Sequence, residues 1–322
     1  MEFLFAKTKY IMVQVLLATE KAFSSVAVSL IESELNKANF ELIKLENYKN
    51  RSDLLNAVST VDAAIVRSDK CDAEFFRSAN NLKLLVRAGT GVDTIDLIEA
   101  TNRNVVVMNT PGQNSNAVAE LAFGLILYHI RSHFDGGMGT ELRTRSLGLH
   151  GCGAVSRYMI QIAKGFGMNV KAFDPFLSKE QIEAAGAICA HSLEELYKSD
   201  IVSLHIPLTD ETRNSIGKNL LTLFPRAGIL VNTARQEIIN EPELLGHLAA
   251  NPDFGYLADV VPENLQVLKS ELGPEKFNKQ VLVTPKKMGA QTNEANNNCA
   301  PAAARQIIGF FERQEVKFQV NK

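Results

Sequence analysis

Length, composition and charge exclude several classes of protein. The chain has 322 residues, 46% of them hydrophobic and 22% charged, which is typical of a soluble α/β enzyme of about two domains. The net charge of −2 comes without a basic block, and Glu120 and His129 interrupt the longest apolar run, so neither nucleic acid nor a membrane is the expected partner.

Strand-like apolar runs alternate with helical stretches in the first third of the chain. Residues 1–11 precede the first clear strand, and we expect them to be an added tail. A helix is predicted over residues 25–38, and a long helix over residues 116–133 is expected to cross into a second unit. Continuous apolar strands separated by helices predict a parallel sheet covered on both faces. The predicted strands are 13–17, 40–45, 63–67, 82–88 and 105–109.

The rest of the chain repeats this alternation and then returns to the first unit. A long helix is predicted over residues 293–313 and a final strand over 316–320, which is too little chain to fold alone. We therefore predict an α/β fold of two doubly wound, parallel-sheet, Rossmann-like domains, with the chain crossing between them twice. Residues 1–110 and 291–322 would form the substrate domain, and residues 111–290 the dinucleotide domain. The further predicted strands are 147–150, 169–173, 201–207, 228–234, 254–260 and 281–285.

A glycine turn between the strand at 147–150 and a helix over 154–166 is the strongest local signal. Gly151 permits a sharp turn, and Gly153 lets a pyrophosphate approach the start of the helix. Asp174 ends the next strand, where a carboxylate accepts ribose hydroxyls and repels a 2′-phosphate, which favours NAD over NADP. Ser156 replaces the third glycine at an expected small steric cost. An ordinary tight turn is the alternative for the glycines alone.

Cationic or proton-handling side chains follow several predicted strands. Ligands bind beyond the carboxyl ends of strands in open α/β sheets, so six such groups at strand ends predict an anionic substrate. The groups are Arg67, Arg87, His205, Arg235, Lys286 and Lys287. The four cysteines lack CxxC pairing, which indicates free thiols in the cytoplasm and no metal site.

Seven motifs in order resemble the D-isomer-specific 2-hydroxyacid dehydrogenases over nearly all of the chain after Met12. They are RAGTGVDTID (87–96), NTPGQNSNAVAELAFGLIL (109–127), GCGAVS (151–156), FDP (173–175), HIPLTDET (205–212), NTARQEIIN (232–240) and VTPKKMGAQTNEA (283–295). The resemblance implies a homodimer that oxidises the C2 hydroxyl of a small phosphorylated 2-hydroxy acid with NAD. The implied substrate is 3-phospho-D-glycerate, oxidised to 3-phosphohydroxypyruvate at the entry to serine synthesis, and the reverse reaction uses NADH.

The family's site residues carry over position by position. Arg235 would hold the substrate carboxylate and polarise the carbonyl oxygen. Arg67 and Arg87, with Gly89 beside them, would bind the substrate phosphate. The positions implied to contact NAD are Thr90, Gly151, Gly153, Ala154, Val155, Asp174, His205, Ile206, Pro207, Thr233, Ala234, Asp259 and Gly289.

The family's acid–base pair is altered in this chain. Lys287 occupies the position of the catalytic histidine, and Asn264 that of its glutamate, with Glu263 one residue early. An ordinary lysine amine, with a pKa of about 10.4, is almost fully protonated at neutral pH. We therefore predict Lys287 as the proton-exchanging group, Glu263 as a relay partner, and an oxidative pH optimum on the alkaline side.

Two other functions remain compatible with these residues. A dinucleotide-binding scaffold on the same fold would explain the lost histidine, although it has no need of Arg67, Arg87 and Arg235. A dehydrogenase of a smaller acid such as glycerate or lactate would not need the two phosphate-binding arginines. Arg67 alone would be read as a surface cation, and His150 as a buried core histidine.

Overall fold

The computed structural model describes residues 12–321, so the tail expected at residues 1–11 lies outside the described residues. The described strands are β1 (Gln14–Thr19), β2 (Glu41–Glu46), β3 (Ala63–Val66), β4 (Leu84–Arg87), β5 (Val106–Asn109), β6 (Ser146–His150), β7 (Asn169–Phe173), β8 (Ile188–Cys189), β9 (Ile201–Leu204), β10 (Ile229–Asn232), β11 (Gly255–Ala258) and β12 (Val281–Val283). The α-helices are α1 (Ser25–Lys37), α2 (Arg51–Val58), α3 (Ala73–Ser78), α4 (Leu97–Asn102), α5 (Ser115–Ile130), α6 (Ala154–Gly165), α7 (Lys179–Ala185), α8 (Leu193–Leu196), α9 (Lys218–Leu221), α10 (Glu241–Ala250), α11 (Leu265–Gln280) and α12 (Asn293–Arg313). Short 3₁₀ turns cover Ser132–Phe134 and Gln236–Ile238.

The chain folds into two compact units. One combines the described residues up to Asn114 with those from Thr292 onward, and the other is Ser115–Gln291. The expected divisions were after residues 110 and 290. The first unit holds a five-stranded parallel sheet in the order β2-β1-β3-β4-β5. The second holds a seven-stranded parallel sheet in the order β12-β11-β10-β9-β6-β7-β8, so the predicted two-sheet α/β fold is confirmed.

Both sheets are covered by helices on their two faces. Strands β3, β9, β10 and β11 are buried at every residue, as expected for strands between two helical layers. Each sheet separates two hydrophobic clusters, one on each face. Side-chain caps fix where helices begin; the Ser24 side chain accepts from the Ala27 amide before α1, and Thr292 does the same for Ala295 before α12.

The strand predicted over residues 316–320 is wrong. Only an isolated bridge joins Gln319 to Met108. The Val320 amide donates to the Val107 carbonyl at 2.9 Å, while Asn321 Oδ1 accepts from the Val107 amide at 2.7 Å and its Nδ2 donates to the Val105 carbonyl at 2.9 Å. The segment therefore bonds to the edge of β5 through both its backbone and the Asn321 side chain without forming a strand.

The helix predicted over residues 116–133 ends earlier than expected. Helix α5 stops at Ile130, and Ser132, His133 and Phe134 have φ angles of 50°, 54° and 59°. An α-helix cannot continue through left-handed residues, so the last turn of the prediction is lost. Strand β8 was not predicted, because two residues are too few to show a periodicity.

Two properties of the described residues concern the predicted partners. None of their helices is both long and apolar enough to cross a membrane. Within residues 12–321, no three His, Cys, Asp or Glu side chains are grouped so that they could hold a metal ion. Cys71, Cys152, Cys189 and Cys299 are free thiols.

Candidate functional site

The two glycines of the turn after β6 are needed for different reasons. Gly151 has a φ of +93°, and a Cβ there would lie 2.8 Å from the His205 carbonyl oxygen, so the fold itself requires glycine. Gly153 is the N-cap of α6, and a Cβ there would meet nothing within 4 Å. The protein's own packing does not demand Gly153. The open space beside the first amides of α6 fits a pyrophosphate group.

Ser156, in place of the third glycine, braces this turn. The residue is fully buried, and its Oγ donates to the Gly151 carbonyl at 2.6 Å. We expected only a small steric cost from a serine here. The structure adds a hydrogen bond that holds the turn against the first residues of α6.

Asp174 is oriented by the same turn. Its Oδ2 accepts from the Cys152 amide at 2.9 Å, and its Oδ1 accepts from the Phe176 amide at 3.0 Å. A carboxylate oxygen has two acceptor sites, so each retains one for a ribose hydroxyl. This half-exposed carboxylate at the end of β7 fits a dinucleotide with an unmodified ribose.

Two histidines adjoin the turn, and both are held neutral. Burial lowers the pKa of His150 to about 4, and its Nδ1 lies 3.0 Å from the Tyr197 hydroxyl, as expected for a core histidine. Burial also lowers the pKa of His205 to about 3. The backbone amide of His205 donates to the His150 carbonyl at 2.8 Å. A neutral His205 is suited to lining a site and not to donating a proton at neutral pH.

Buried polar atoms without a partner mark the ends of β9 and β10. Within the described part of the chain, His205 Nε2 and Thr233 Oγ1 are buried and make no hydrogen bond. Such groups are usually paired, and a bound cofactor with amide or hydroxyl groups would supply partners. Both residues are among the positions that the family resemblance implies are in contact with NAD.

The remaining implied NAD positions are placed as follows. In the second unit, Ala154 and Val155 open α6, Ile206 packs against Gly151, and the Pro207 carbonyl accepts from Thr212 Oγ1 at 2.7 Å. Thr90 lies in the first unit, where its Oγ1 donates to Asn114 Oδ1 at 3.2 Å.

The loop after β10 brings Arg235 and Lys287 together. The buried side chain of Asn232 shapes this loop, since its Oδ1 accepts from the Ala234 amide at 3.0 Å and its Nδ2 donates to the Arg235 carbonyl at 2.9 Å. Arg235 Nη1 donates to the Ala234 carbonyl at 2.9 Å, and Lys287 Nζ reaches the same oxygen at 3.4 Å. Two cationic side chains therefore share one backbone acceptor. Asn232 was not predicted as a site residue, although its burial at a strand end is readable from the sequence.

Asp259 holds the loop that carries Lys287. Its Oδ1 accepts from Thr284 Oγ1 at 2.9 Å and from the Met288 amide at 2.8 Å, while its Oδ2 accepts from the Gly289 amide at 2.7 Å. A Cβ on Gly289 would lie 2.9 Å from Oδ2, so glycine keeps this contact possible. Asp259 was predicted only as a cofactor contact, and the structure gives it a positioning role beside Lys287.

Glu263 lies in a different environment from Lys287. Its backbone amide donates to Glu241 Oε1 at 2.7 Å, and the Asn264 amide donates to Glu241 Oε2 at 2.8 Å. The side chain of Glu263 is exposed, and its relay role stays a prediction.

Arg67 and Arg87 lie side by side in the first unit, at the carboxyl ends of the neighbouring strands β3 and β4. Arg87 Nε donates to the Arg67 carbonyl at 2.9 Å. The Arg67 guanidinium donates to Asn296 Oδ1 and lies 5.6 Å from the centre of the Phe23 ring. Burial lowers the pKa of Arg67, but a guanidinium remains charged in proteins. Two charged arginines therefore stand at neighbouring strand ends, and their role in phosphate binding stays a prediction.

The supports of this arginine pair include residues that the sequence did not indicate. Gly89 was expected beside the pair, and a Cβ there would overlap the Arg87 guanidinium, so glycine lets that side chain fold back. Asp69 is buried and accepts from the Arg67 amide at 3.0 Å and from the Tyr48 hydroxyl at 2.7 Å. Asn296 is remote in sequence, and only the return of the chain through α12 brings it here.

The two glycines give a matched test of the turn. We expect Gly151→Ala to lower the free energy of unfolding by about 1–3 kcal/mol, because alanine is strained at positive φ and meets the His205 carbonyl. Gly153→Ala should change that free energy by less than about 1 kcal/mol but weaken NADH binding about tenfold or more. Urea unfolding and NADH fluorescence titration measure the two quantities. Unchanged NADH affinity in Gly153→Ala would contradict the assignment of this turn.

Comparison with known proteins agrees with this geometry. Residues 128–286 match the family model for the NAD binding domain of D-isomer specific 2-hydroxyacid dehydrogenase. The D-3-phosphoglycerate dehydrogenase of Bacillus subtilis is 32% identical over 95% of this chain and 58% of its own length. The glyoxylate reductase of Thermococcus litoralis is 31% identical over 88% of this chain and 90% of its own length.

A solved structure matches over almost the whole chain. The NAD⁺-bound 3-phosphoglycerate dehydrogenase of Entamoeba histolytica is 40% identical, with a TM-score of 0.84, covering 97% of this chain and 99% of its own. The chain spans little more than half the length of the curated phosphoglycerate dehydrogenases that it matches. The glycine turn, the Arg235 loop and this full-length match lead to one conclusion: the chain belongs to the D-isomer-specific 2-hydroxyacid dehydrogenases.

Proposed function

We propose that this chain is an NAD-dependent D-3-phosphoglycerate dehydrogenase. It oxidises 3-phospho-D-glycerate to 3-phosphohydroxypyruvate and runs the reverse reaction with NADH. The observation that carries the substrate assignment is the arginine pair, in which Arg67 and Arg87 stand at the carboxyl ends of neighbouring strands and Arg87 Nε donates to the Arg67 carbonyl. The relatives from Bacillus subtilis and Entamoeba histolytica are phosphoglycerate dehydrogenases, which supports the same substrate.

Each charged group has a distinct task in the proposed reaction. Arg67 and Arg87 bind the phosphate. Arg235 binds the substrate carboxylate through its planar guanidinium and stabilises negative charge on the C2 oxygen. Lys287 accepts the hydroxyl proton during oxidation and donates it during reduction. The bound NAD supplies the hydride acceptor.

The fold of the second unit prepares these groups before substrate arrives. The hydrogen bonds of Asn232 and Asp259 fix the loops that carry Arg235 and Lys287, so little of their ordering remains to be done during the reaction. The exposed side chain of Lys287 reaches the Ala234 carbonyl at 3.4 Å, the oxygen that Arg235 also contacts, so Lys287 lies beside the group proposed to bind the substrate carboxylate.

A second candidate is a reductase of a smaller oxo acid. The match to the Thermococcus litoralis glyoxylate reductase over 90% of its length favours it, since glyoxylate bears no phosphate. Arg67 and Arg87 weigh against it, because glyoxylate offers only a carboxylate, which Arg235 is proposed to bind, and leaves these two arginines at neighbouring strand ends without a role in substrate binding.

Replacing Arg67 by glutamine tests the choice between the two substrates. We expect KM for 3-phospho-D-glycerate to rise about tenfold or more, because a charge-assisted hydrogen bond is lost. KM for D-glycerate should change by less than about twofold, since it lacks the phosphate that Arg67 contacts. Initial rates of NADH formation with both substrates provide the measurement.

Arg77→Gln is the matched control, because Arg77 is an exposed arginine of the same unit on α3. It should leave both KM values unchanged. An equal rise of both KM values in Arg67→Gln would argue for an unphosphorylated substrate. Tight NADH binding without turnover of any hydroxy acid would support the alternative of a non-catalytic dinucleotide-binding scaffold.

We also propose a place for the enzyme in the cell. It acts as a cytoplasmic homodimer at the first step of serine synthesis. Exposed apolar side chains follow α5, with Phe134 69% and Met138 99% exposed, and these suit a subunit contact. Light scattering should give twice the mass of 35.4 kDa, and Met138→Glu should shift the mass toward one chain.

A further inference from the structure

The side chain of Arg67 is held within the first unit by a polar and an aromatic contact. Its guanidinium donates to Asn296 Oδ1 near the start of α12, and its Cζ lies 5.6 Å from the centre of the Phe23 ring. Phe23 is buried, and Arg67 and Asn296 are half-buried. A long side chain that meets both a hydrogen-bond acceptor and a ring has its direction set by them.

The segments that carry these contacts are bonded to each other. Ser24, directly after Phe23, donates from its Oγ to Oδ1 of Asn297, directly after Asn296, at 2.6 Å. Helices α1 and α12 also pack in one hydrophobic cluster, to which Phe23 belongs. The contacts of Asn296 and Phe23 with Arg67 are therefore parts of one packed structure.

The backbone is fixed at both ends of the Arg67–Asn296 hydrogen bond. At the start of α12, the Thr292 carbonyl accepts from the Asn296 amide at 3.2 Å. At the end of β3, Asp69 Oδ2 accepts from the Arg67 amide at 3.0 Å. The hydrogen bond thus joins two ordered positions, and the orientation of the guanidinium is prepared before a ligand arrives.

The acceptor that Asn296 offers carries no charge. Among the described residues, no carboxylate lies within ion-pair distance of the Arg67 guanidinium. The nearby carboxylate of Asp69 accepts from the Arg67 and Glu20 amides and from the Tyr48 hydroxyl instead. A guanidinium has five N–H donors, so the bond to Asn296 leaves both donors and positive charge for an anion.

We propose that Asn296 is a positioning residue for phosphate binding, which orients the Arg67 guanidinium through a neutral acceptor and leaves its charge for the substrate phosphate. An aspartate at this position would accept the same hydrogen bond, but its charge would pair with Arg67 and compete with the phosphate. The lack of charge on Asn296 is then as important as the hydrogen bond. The inference rests on the proposed function, because it takes Arg67 to be a phosphate-binding residue.

Substitutions of Asn296 separate the effect of charge from that of orientation. Asn296→Asp keeps the acceptor and adds a charge, so the Kd for 3-phospho-D-glycerate should rise about tenfold or more. Asn296→Ala removes only the acceptor and should raise the Kd about threefold. Asn296→Gln keeps a neutral amide on a longer side chain and should lie between the parent and Asn296→Ala. A purely structural hydrogen bond predicts the opposite order, because aspartate preserves it and alanine does not.

Binding and kinetics provide the measurements. Titration calorimetry of the NADH-bound protein with 3-phospho-D-glycerate gives the Kd without turnover. In initial-rate assays, KM for 3-phospho-D-glycerate should follow the Kd values. The kcat and the KM for D-glycerate should stay within about twofold of the parent, because the lost interaction concerns the phosphate alone. Urea unfolding checks the fold, and Asn296→Asp should be at least as stable as Asn296→Ala, since a carboxylate is favourable near the start of a helix.

Two further variants show whether the added charge acts through Arg67. Asn298→Asp makes the same change at an exposed asparagine of α12, and it should leave the Kd within about twofold of the parent, because solvent and salt screen an exposed charge. In the double variant Arg67→Gln with Asn296→Asp, the Kd should stay within about twofold of that of Arg67→Gln alone. The effects of the two substitutions are not additive if one residue acts through the other.

The inference is overturned if Asn296→Asp binds 3-phospho-D-glycerate as tightly as the parent, or if Asn296→Ala binds it more weakly than Asn296→Asp. An equal loss in Asn298→Asp would also overturn it, since the charge would then act at long range. A parent protein that neither binds nor oxidises 3-phospho-D-glycerate would instead reject the proposed function, and this inference with it.

Discussion

Replacing Arg235 with glutamine is expected to lower kcat/KM for 3-phospho-D-glycerate about 10²- to 10³-fold, the usual loss when a charged donor at the reacting oxygen is removed. Glutamine keeps much of the side-chain length and one donor but neither the charge nor the paired donors of guanidinium. Both kcat and KM should suffer, because the same group binds the carboxylate and stabilises charge at C2. NADH binding should stay within about twofold of the parent, since Arg235 is assigned to the substrate.

Two further variants define the cause of this loss. Arg235→Lys keeps the positive charge but not the planar fork, so it should recover only part of the activity. Arg226→Gln removes an exposed arginine that pairs with Asp253 at the opposite edge of the sheet, and it should leave kcat/KM unchanged. Full activity in Arg235→Lys would show that charge alone is needed, against the paired contact proposed here.

The fold was predictable because its signals are local and repeated. Strands β3, β9, β10 and β11 are apolar and buried on both faces, and a continuous apolar run between helices carries that information. The end of the chain was not predictable in the same way. Residues 316–320 have the composition of a strand, but their pairing with β5 is limited to an isolated bridge, and the Asn321 side chain bonds to the same edge.

The candidate site likewise has a part that the sequence predicts and a part that it does not. The glycine turn and Asp174 belong to one continuous strand–helix–strand stretch, so their spacing in the sequence predicts that they form one structure. The Cys152 amide does donate to Asp174. The supports of Arg67 are different, because Asn296 comes from the far end of the chain. Spacing carries no information on such a contact, since it depends on how α12 returns to the first unit.

The roles of Asp259 and Glu263 illustrate what a family pattern leaves open. Asp259 fills the position implied to contact NAD, yet its oxygens accept from groups on both sides of Lys287. Glu263 was expected to partner Lys287, but its turn is bonded to Glu241. The histidine-to-lysine change is thus accompanied by a loop that the protein itself anchors through Asp259, which fixes the backbone on both sides of Lys287.

Lys287→Ala is expected to lower kcat for oxidation about 10²- to 10⁴-fold, the usual contribution of a positioned acid–base group. The acceptor of the hydroxyl proton must be deprotonated, so the oxidation rate of the parent should rise as pH increases. Reduction needs the protonated form and should not show this rise. Rates of NADH formation and consumption across pH measure the two directions.

Lys287→His makes this prediction specific to proton transfer. An imidazole with an ordinary pKa of about 6.5 is already deprotonated at neutral pH, so this variant should be active and its oxidative pH optimum should move toward neutrality. Lys269→Ala, in which an exposed lysine of α11 in the same unit is lost, should match the parent. If Lys287→His were active with the parent's pH profile, the titrating group would be elsewhere and Lys287 would only bind substrate. If Lys287→Ala kept its full kcat, proton transfer would not depend on this residue, and the altered acid–base pair of this chain would need another proton acceptor.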